Sequence, residues 1–109
     1  MTSESFTRVA KVSDVASGTS KLVTVSGKEI LLCNSKDKIT AIINRCSHAD
    51  EKLECGRIRN GWISCPVHGA RFNLETGQAM NHPATLPIQT FPTRIVDEWV
   101  EVQVVPVDA

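Results

Sequence analysis

The octapeptide Arg57-Ile58-Arg59-Asn60-Gly61-Trp62-Ile63-Ser64 constrains this chain more than any other stretch. Asn-Gly between alternating apolar residues favours a two-residue type I′ turn, because both central positions need positive φ. Such a turn sets Ile58 opposite Ile63 and Arg59 opposite Trp62. The hairpin is bracketed by Cys46-Ser47-His48 before it and Cys65-Pro66-Val67-His68 after it. A chain that doubles back here brings the two mixed Cys/His pairs side by side.

The rest of the sequence also reads as short strands. Lys21–Val25 and Glu29–Cys33 flank a Ser26-Gly27-Lys28 turn. Lys38–Asn44 runs directly into Cys46. A turn is expected at Glu75-Thr76-Gly77. Pro87–Val96 and Trp99–Val105 flank Asp97-Glu98 as a final hairpin. In its second arm Val100, Val102 and Val104 alternate with Glu101 and Gln103, the period of a half-buried strand. No stretch has a sustained helical period, and the Ser/Glu-containing start reads as a frayed end. The fold class expected is all-β: short antiparallel strands forming a sandwich or partly open barrel.

With 109 residues the chain is expected to be a single domain spanning 1–109. Twelve Lys+Arg balance twelve Asp+Glu. That balance argues against a dedicated nucleic-acid or anionic-membrane binder. The N-terminus lacks the pattern of a secretory signal, and apolar runs are too short to span a bilayer. A cytoplasmic protein is expected. In a reducing compartment four cysteines read first as metal ligands or buried thiols.

Cys46, His48, Cys65 and His68 use half of the four cysteines and two of the three histidines. Two chemistries suit two thiolates and two imidazoles. Zinc takes Cys₂His₂ sets, although a single residue between Cys46 and His48 is tight for a zinc knuckle. A 2Fe–2S cluster with two thiolates on one iron and two imidazoles on the other suits two loops that each give one of each. Cys33, at the end of an apolar strand, reads as a core thiol. Cys55 reads as a structural thiol, and His82 as a partly exposed residue before Pro83.

Cys46-x-His48 and Cys65-Pro66-x-His68-Gly69 resemble the signature of Rieske proteins. Phe72, Gly77, and the segment from Pro83 through Leu86-Pro87 to Trp99-Val100-Glu101-Val102 resemble the remainder of a Rieske ferredoxin. The resemblance implies an antiparallel base domain with a small cluster-binding subdomain at about residues 45–82. It implies one 2Fe–2S cluster held by Cys46, His48, Cys65 and His68. Pro66 would stiffen the second loop, and Gly69 would let it turn so that amides reach cluster sulfurs. Pro83 would begin a third covering loop. Respiratory Rieske proteins carry a disulfide and hydroxyls beside the cluster; the matching positions here are Glu51, Val67, Ala70 and Phe72, which supply neither. Without hydrogen bonds to sulfur the potential is expected near the low end of the Rieske range, about −150 mV.

One remaining histidine, His82, is too few for a two-His-one-carboxylate iron site, and no dinucleotide fingerprint is present. The resemblance therefore implies an electron carrier and not an enzyme. It is similar to the ferredoxin component of aromatic-ring-hydroxylating dioxygenases, a monomer that takes electrons from a flavin- and NADH-dependent ferredoxin reductase and gives them to a terminal oxygenase. A small subunit of another system such as nitrite reductase is the second reading, and a zinc-stabilised binding module the third. His48 and His68 are expected at the tip, ringed by Asp50, Glu51, Lys52, Ala70 and Arg71.

Overall fold

The computed structural model describes residues 6–46, 52–54, 56–66, 69–81 and 86–104. Among these residues ten strands follow in order: β1 (Phe6–Lys11), β2 (Ser20–Val25), β3 (Lys28–Ser35), β4 (Lys38–Ile43), β5 (Arg57–Arg59), β6 (Trp62–Ser64), β7 (Arg71–Asn73), β8 (Thr90–Phe91), β9 (Thr93–Val96) and β10 (Trp99–Gln103). Among the described residues there is no α-helix, only a 3-10 turn at Val12–Asp14. No described helix is long and apolar enough to cross a membrane. The all-β expectation holds.

The strands form three antiparallel sheets, ordered β1-β10-β9, β2-β3-β4-β8 and β5-β6-β7. Four hairpins close through two-residue turns with both φ positive: Ser26-Gly27, Lys36-Asp37, Asn60-Gly61 and Asp97-Glu98. That geometry matches the right-handed twist of the strands it joins. Ile58 pairs with Ile63 and Arg59 with Trp62, the register that Asn60-Gly61 dictates. Lys28 belongs to the strand opposite Val25 and not to the turn. The Lys36-Asp37 hairpin carries no glycine and so leaves little trace in the sequence.

The middle sheet separates two cores. On β3, Ile30 and Leu32 face Ala10, Phe91, Val100 and Val102, while Leu31 and Cys33 face Ile58, Ile63, Leu53 and Phe72. With both faces covered, Ile30 through Ser35 are all buried, which explains a near-continuous apolar run in place of alternation.

Two local expectations change, and one lies outside the described residues. Pro87–Val96 is not one strand: Pro92, which has no N–H to give a ladder, separates β8 from β9. There the chain crosses from the middle sheet, where β8 pairs with β4, to the outer sheet, where β9 pairs with β10. Near the N-terminus, Phe6–Lys11 forms a paired strand against β10; residues 1–5 lie outside the described residues. Glu101, expected on a solvated face, is only 7 % exposed. It stands opposite Arg8 on one side and Arg94 on the other. Its carboxylate accepts from Arg94 Nε at 2.8 Å and lies 3.8 Å from Arg8 Nε. The guanidinium groups in turn lie over aromatic rings, Arg8 over Trp99 and Arg94 over Phe6.

Candidate metal centre

Cys46 follows the end of β4, and Cys65 follows β6 directly. They are 2 % and 1 % exposed and belong to one apolar cluster with Leu53, Ile63, Ala70 and Phe72. No disulfide joins them. His48 and His68, with Asp50, Glu51, Cys55, Val67, His82 and Pro83, lie outside the described residues. Among the described residues no group of three or more Cys, His, Asp or Glu side chains comes together.

The loop after β6 is closed at its neck. Cys65 N–H donates to Ala70 O at 2.6 Å, and Gly69 N–H donates to Cys65 O at 3.0 Å. Gly69 has φ +74°, the left-handed conformation expected of it. These two amides are therefore used inside the loop. Asn81 ties the loop from outside, accepting Arg71 N–H at 2.7 Å and donating to Gly69 O at 3.4 Å.

The segment around Cys46 is held by Asn44, which sequence reading passed over. Its side chain is buried. Nδ2 donates to Glu54 Oε1 at 2.9 Å and to Glu29 Oε1 at 3.3 Å, and Oδ1 accepts Leu53 N–H at 2.9 Å. One amide thus ties the end of β4 to residues 53–54. Gly56 brings the same segment against β6, because a Cβ there would stand 2.2 Å from Ser64 O. A polar residue closing an otherwise apolar strand, and a glycine beside a cysteine, are the faint signals both leave in the sequence.

Burial distinguishes the remaining positions. Cys33 is fully buried, and loss of hydration pushes its thiol up to about 12. A thiolate ligand needs the opposite, so Cys33 is a core residue as expected. Ala70, expected on the rim of the tip, is instead fully buried beside Cys65; Lys52 and Arg71 are exposed. Ala70 and Phe72 contribute no side-chain hydroxyl to this cluster.

The donor set fits an iron–sulfur group. Two soft sulfur donors approach from separate elements, in an apolar and nearly dry setting, each leading within three residues to a histidine.

Known proteins agree with this arrangement. Residues 5–92 match the family model described as Rieske [2Fe-2S] domain. The ferredoxin component of the naphthalene 1,2-dioxygenase system of Pseudomonas putida is 37 % identical over 84 residues, 77 % of this chain and 81 % of the relative. The ferredoxin of carbazole 1,9a-dioxygenase from Nocardioides aromaticivorans superposes with TM-score 0.86 at 29 % identity, covering 91 % of this chain and 97 % of that one. A chain of the complex of reduced oxygenase and oxidized ferredoxin in carbazole 1,9a-dioxygenase superposes with TM-score 0.85 at 27 % identity, covering 93 % of this chain and 94 % of that one. A fold of three antiparallel sheets, two thiols buried together at the ends of two strands, and a family match over most of its length place this chain in the Rieske [2Fe-2S] family.

Proposed function

We propose that this protein carries single electrons from an NADH-dependent flavin ferredoxin reductase to a terminal aromatic-ring-hydroxylating oxygenase, using one 2Fe–2S cluster ligated by Cys46, His48, Cys65 and His68. The observation that carries the ligand set is the joint burial of Cys46 and Cys65 in one apolar cluster, although they lie on separate elements. The relatives support the role, being named as ferredoxin components of dioxygenase systems. The bound cluster supplies a one-electron couple; the chain holds it and keeps water from the cysteine side. The cluster-binding subdomain is assigned to about residues 45–82, with the β5-β6-β7 sheet as its frame.

The Cys65–Ala70 neck and the Asn44 hydrogen bonds orient the segments that carry the two cysteines. With no hydroxyl from Ala70 or Phe72, the midpoint is expected near the low end of the Rieske range, about −150 mV. Ala70→Ser places a hydroxyl beside Cys65 and is expected to move the midpoint upward in voltammetry. We place the carrier in the cytoplasm as a monomer, a reducing compartment in which cysteines outside disulfides are chemically stable.

The deciding experiment is metal and sulfide analysis of purified protein, alongside Cys65→Ser. Iron and acid-labile sulfide in equal amounts, lost in the variant, are expected. Zinc without iron, or an unaltered cluster in Cys65→Ser, overturns the assignment.

A further inference from the structure

We propose that the outer face of the β5-β6-β7 sheet is a docking surface for an acidic patch on a partner redox protein. The proposal rests on the electron-carrier reading and names the surface that serves it. Ile58, Ile63 and Phe72 turn inward and are buried. The alternate residues therefore share the opposite face. In register across the three strands they form the rows Arg57–Ser64–Arg71 and Arg59–Trp62–Asn73. Phe72 bridges Ala79, and Met80 N–H donates to Arg71 O at 2.8 Å, so Met80 extends the first row; it is 50 % exposed.

Arg57, Arg59 and Arg71 are exposed, and among the described residues none of them makes an ion pair. The ion pairs that are seen use Arg8, Arg94, Lys38 and Lys52. A chain of zero formal net charge thus keeps three guanidinium groups, without an ion pair among the described residues, together on one small sheet. Arg71 lies over the Trp62 ring at 4.7 Å, which holds its charge in place over a half-buried aromatic. Arginine, tryptophan and methionine are the residues enriched at protein interfaces, and a guanidinium takes a carboxylate in a two-pronged grip.

Position gives the face its use. An open groove lined by Arg57, Trp62, Ser64 and Arg71 runs up to Cys65 and Pro66. A partner seated there lies directly beside one of the proposed ligands. Three cations on a neutral chain are few for nucleic acid, where about six to ten phosphate contacts are usual in tight binding. They suffice to orient an acidic protein patch and raise its association rate.

The test uses the oxidised holoprotein and two ferric haem proteins of opposite surface charge, acidic cytochrome b5 and basic cytochrome c. With all centres oxidised no electron moves, and calorimetry at low salt reads binding alone. Tighter binding of cytochrome b5 than of cytochrome c, by about tenfold or more, is expected. Arg57→Glu/Arg59→Glu/Arg71→Glu should reverse that order, and the three Arg→Gln changes should abolish the preference. Lys11→Glu/Lys21→Glu/Lys36→Glu makes the same change in net charge on exposed positions elsewhere and should leave the order as it is. Circular dichroism establishes that each variant is folded. The proposal is overturned if the lysine set reverses the order as well, if the arginine sets leave it unchanged, or if a single-stranded 20-mer oligonucleotide binds this face more tightly than cytochrome b5. Iron and sulfide content of the same samples judges the carrier reading separately: protein without iron that still discriminates through these arginines sinks that reading and keeps the surface.

Discussion

Asn44 shows how much a single side chain can decide beside a metal centre. It satisfies the buried Leu53 N–H and donates to two carboxylates, Glu29 and Glu54. Asn44→Ala leaves that N–H without a partner, so a loss of about 1–3 kcal/mol in urea unfolding is expected. Asn44→Asp should be worse, because a third carboxylate replaces the donor that the other two share. Cys33 predicts a pH effect. Burial disfavours the thiolate and pushes this thiol up to about 12 from its ordinary 9.0. The unfolded chain therefore releases this proton at lower pH than the native chain does. Stability from this group is complete below pH 9.0 and falls as pH rises through about 12. In parallel melts between pH 8 and 11, Cys33→Ala should start lower, from the lost packing, and then decline less steeply than the parent. The absence of tyrosine removes one competing titration from that window. Equal slopes would show that the thiol ionises in the fold as easily as outside it.

At the scale of single elements, two glycines with similar backbone angles should behave differently. Gly61 has φ +84° in the β5–β6 turn, with open space where a Cβ would be; Gly77 has φ +78°, with Ile88 O only 2.1 Å from that point. Gly61→Ala is expected to cost about 1–2 kcal/mol, the strain of a left-handed alanine. Gly77→Ala adds a backbone collision and must separate the turn after β7 from residue 88, whose N–H donates to Gly77 O. Its cost should exceed that of Gly61→Ala by about 2 kcal/mol or more, within the range seen for disruptive core changes. Denaturant midpoints of the two variants settle the order; equal losses would mean that the chain at Ile88 yields freely.

Across the whole molecule, the middle sheet divides stability from cofactor retention. Leu31 and Leu32 are adjacent, and both are fully buried, but Leu31 faces the cluster containing Cys46 and Cys65 while Leu32 faces the cluster of β1 and β10. Either Leu→Ala change should cost about 2–5 kcal/mol. Only Leu31→Ala should also speed loss of iron to a chelator, measured well below the melting temperature of both variants. Identical iron loss would mean that the two cores act as one.

The sequence by itself determined the parts whose cause is local. Asn60-Gly61 dictates its turn and so the Ile58–Ile63 register. The spacing of Cys46, His48, Cys65 and His68 carried the family resemblance and the cofactor, and the family match agrees. An all-β fold followed from strand-length apolar runs without helical period. Only the tertiary structure decided what depends on neighbours distant in the chain. Glu101 has the polar identity of a solvated position, yet Arg8 and Arg94 arrive from two other strands to cover it. Ala70 looks like a loop residue beside a histidine, yet Cys65 N–H draws its carbonyl inward and the core closes over it. Asn44 reads as the end of a strand until Leu53 and Glu54 fold back to its amide. The arginines of β5 and β7 lie far apart in sequence, and pairing of both strands with β6 makes them one charged surface. Burial and ion pairing are set by what packs across a sheet, and a linear pattern records only what lies along it.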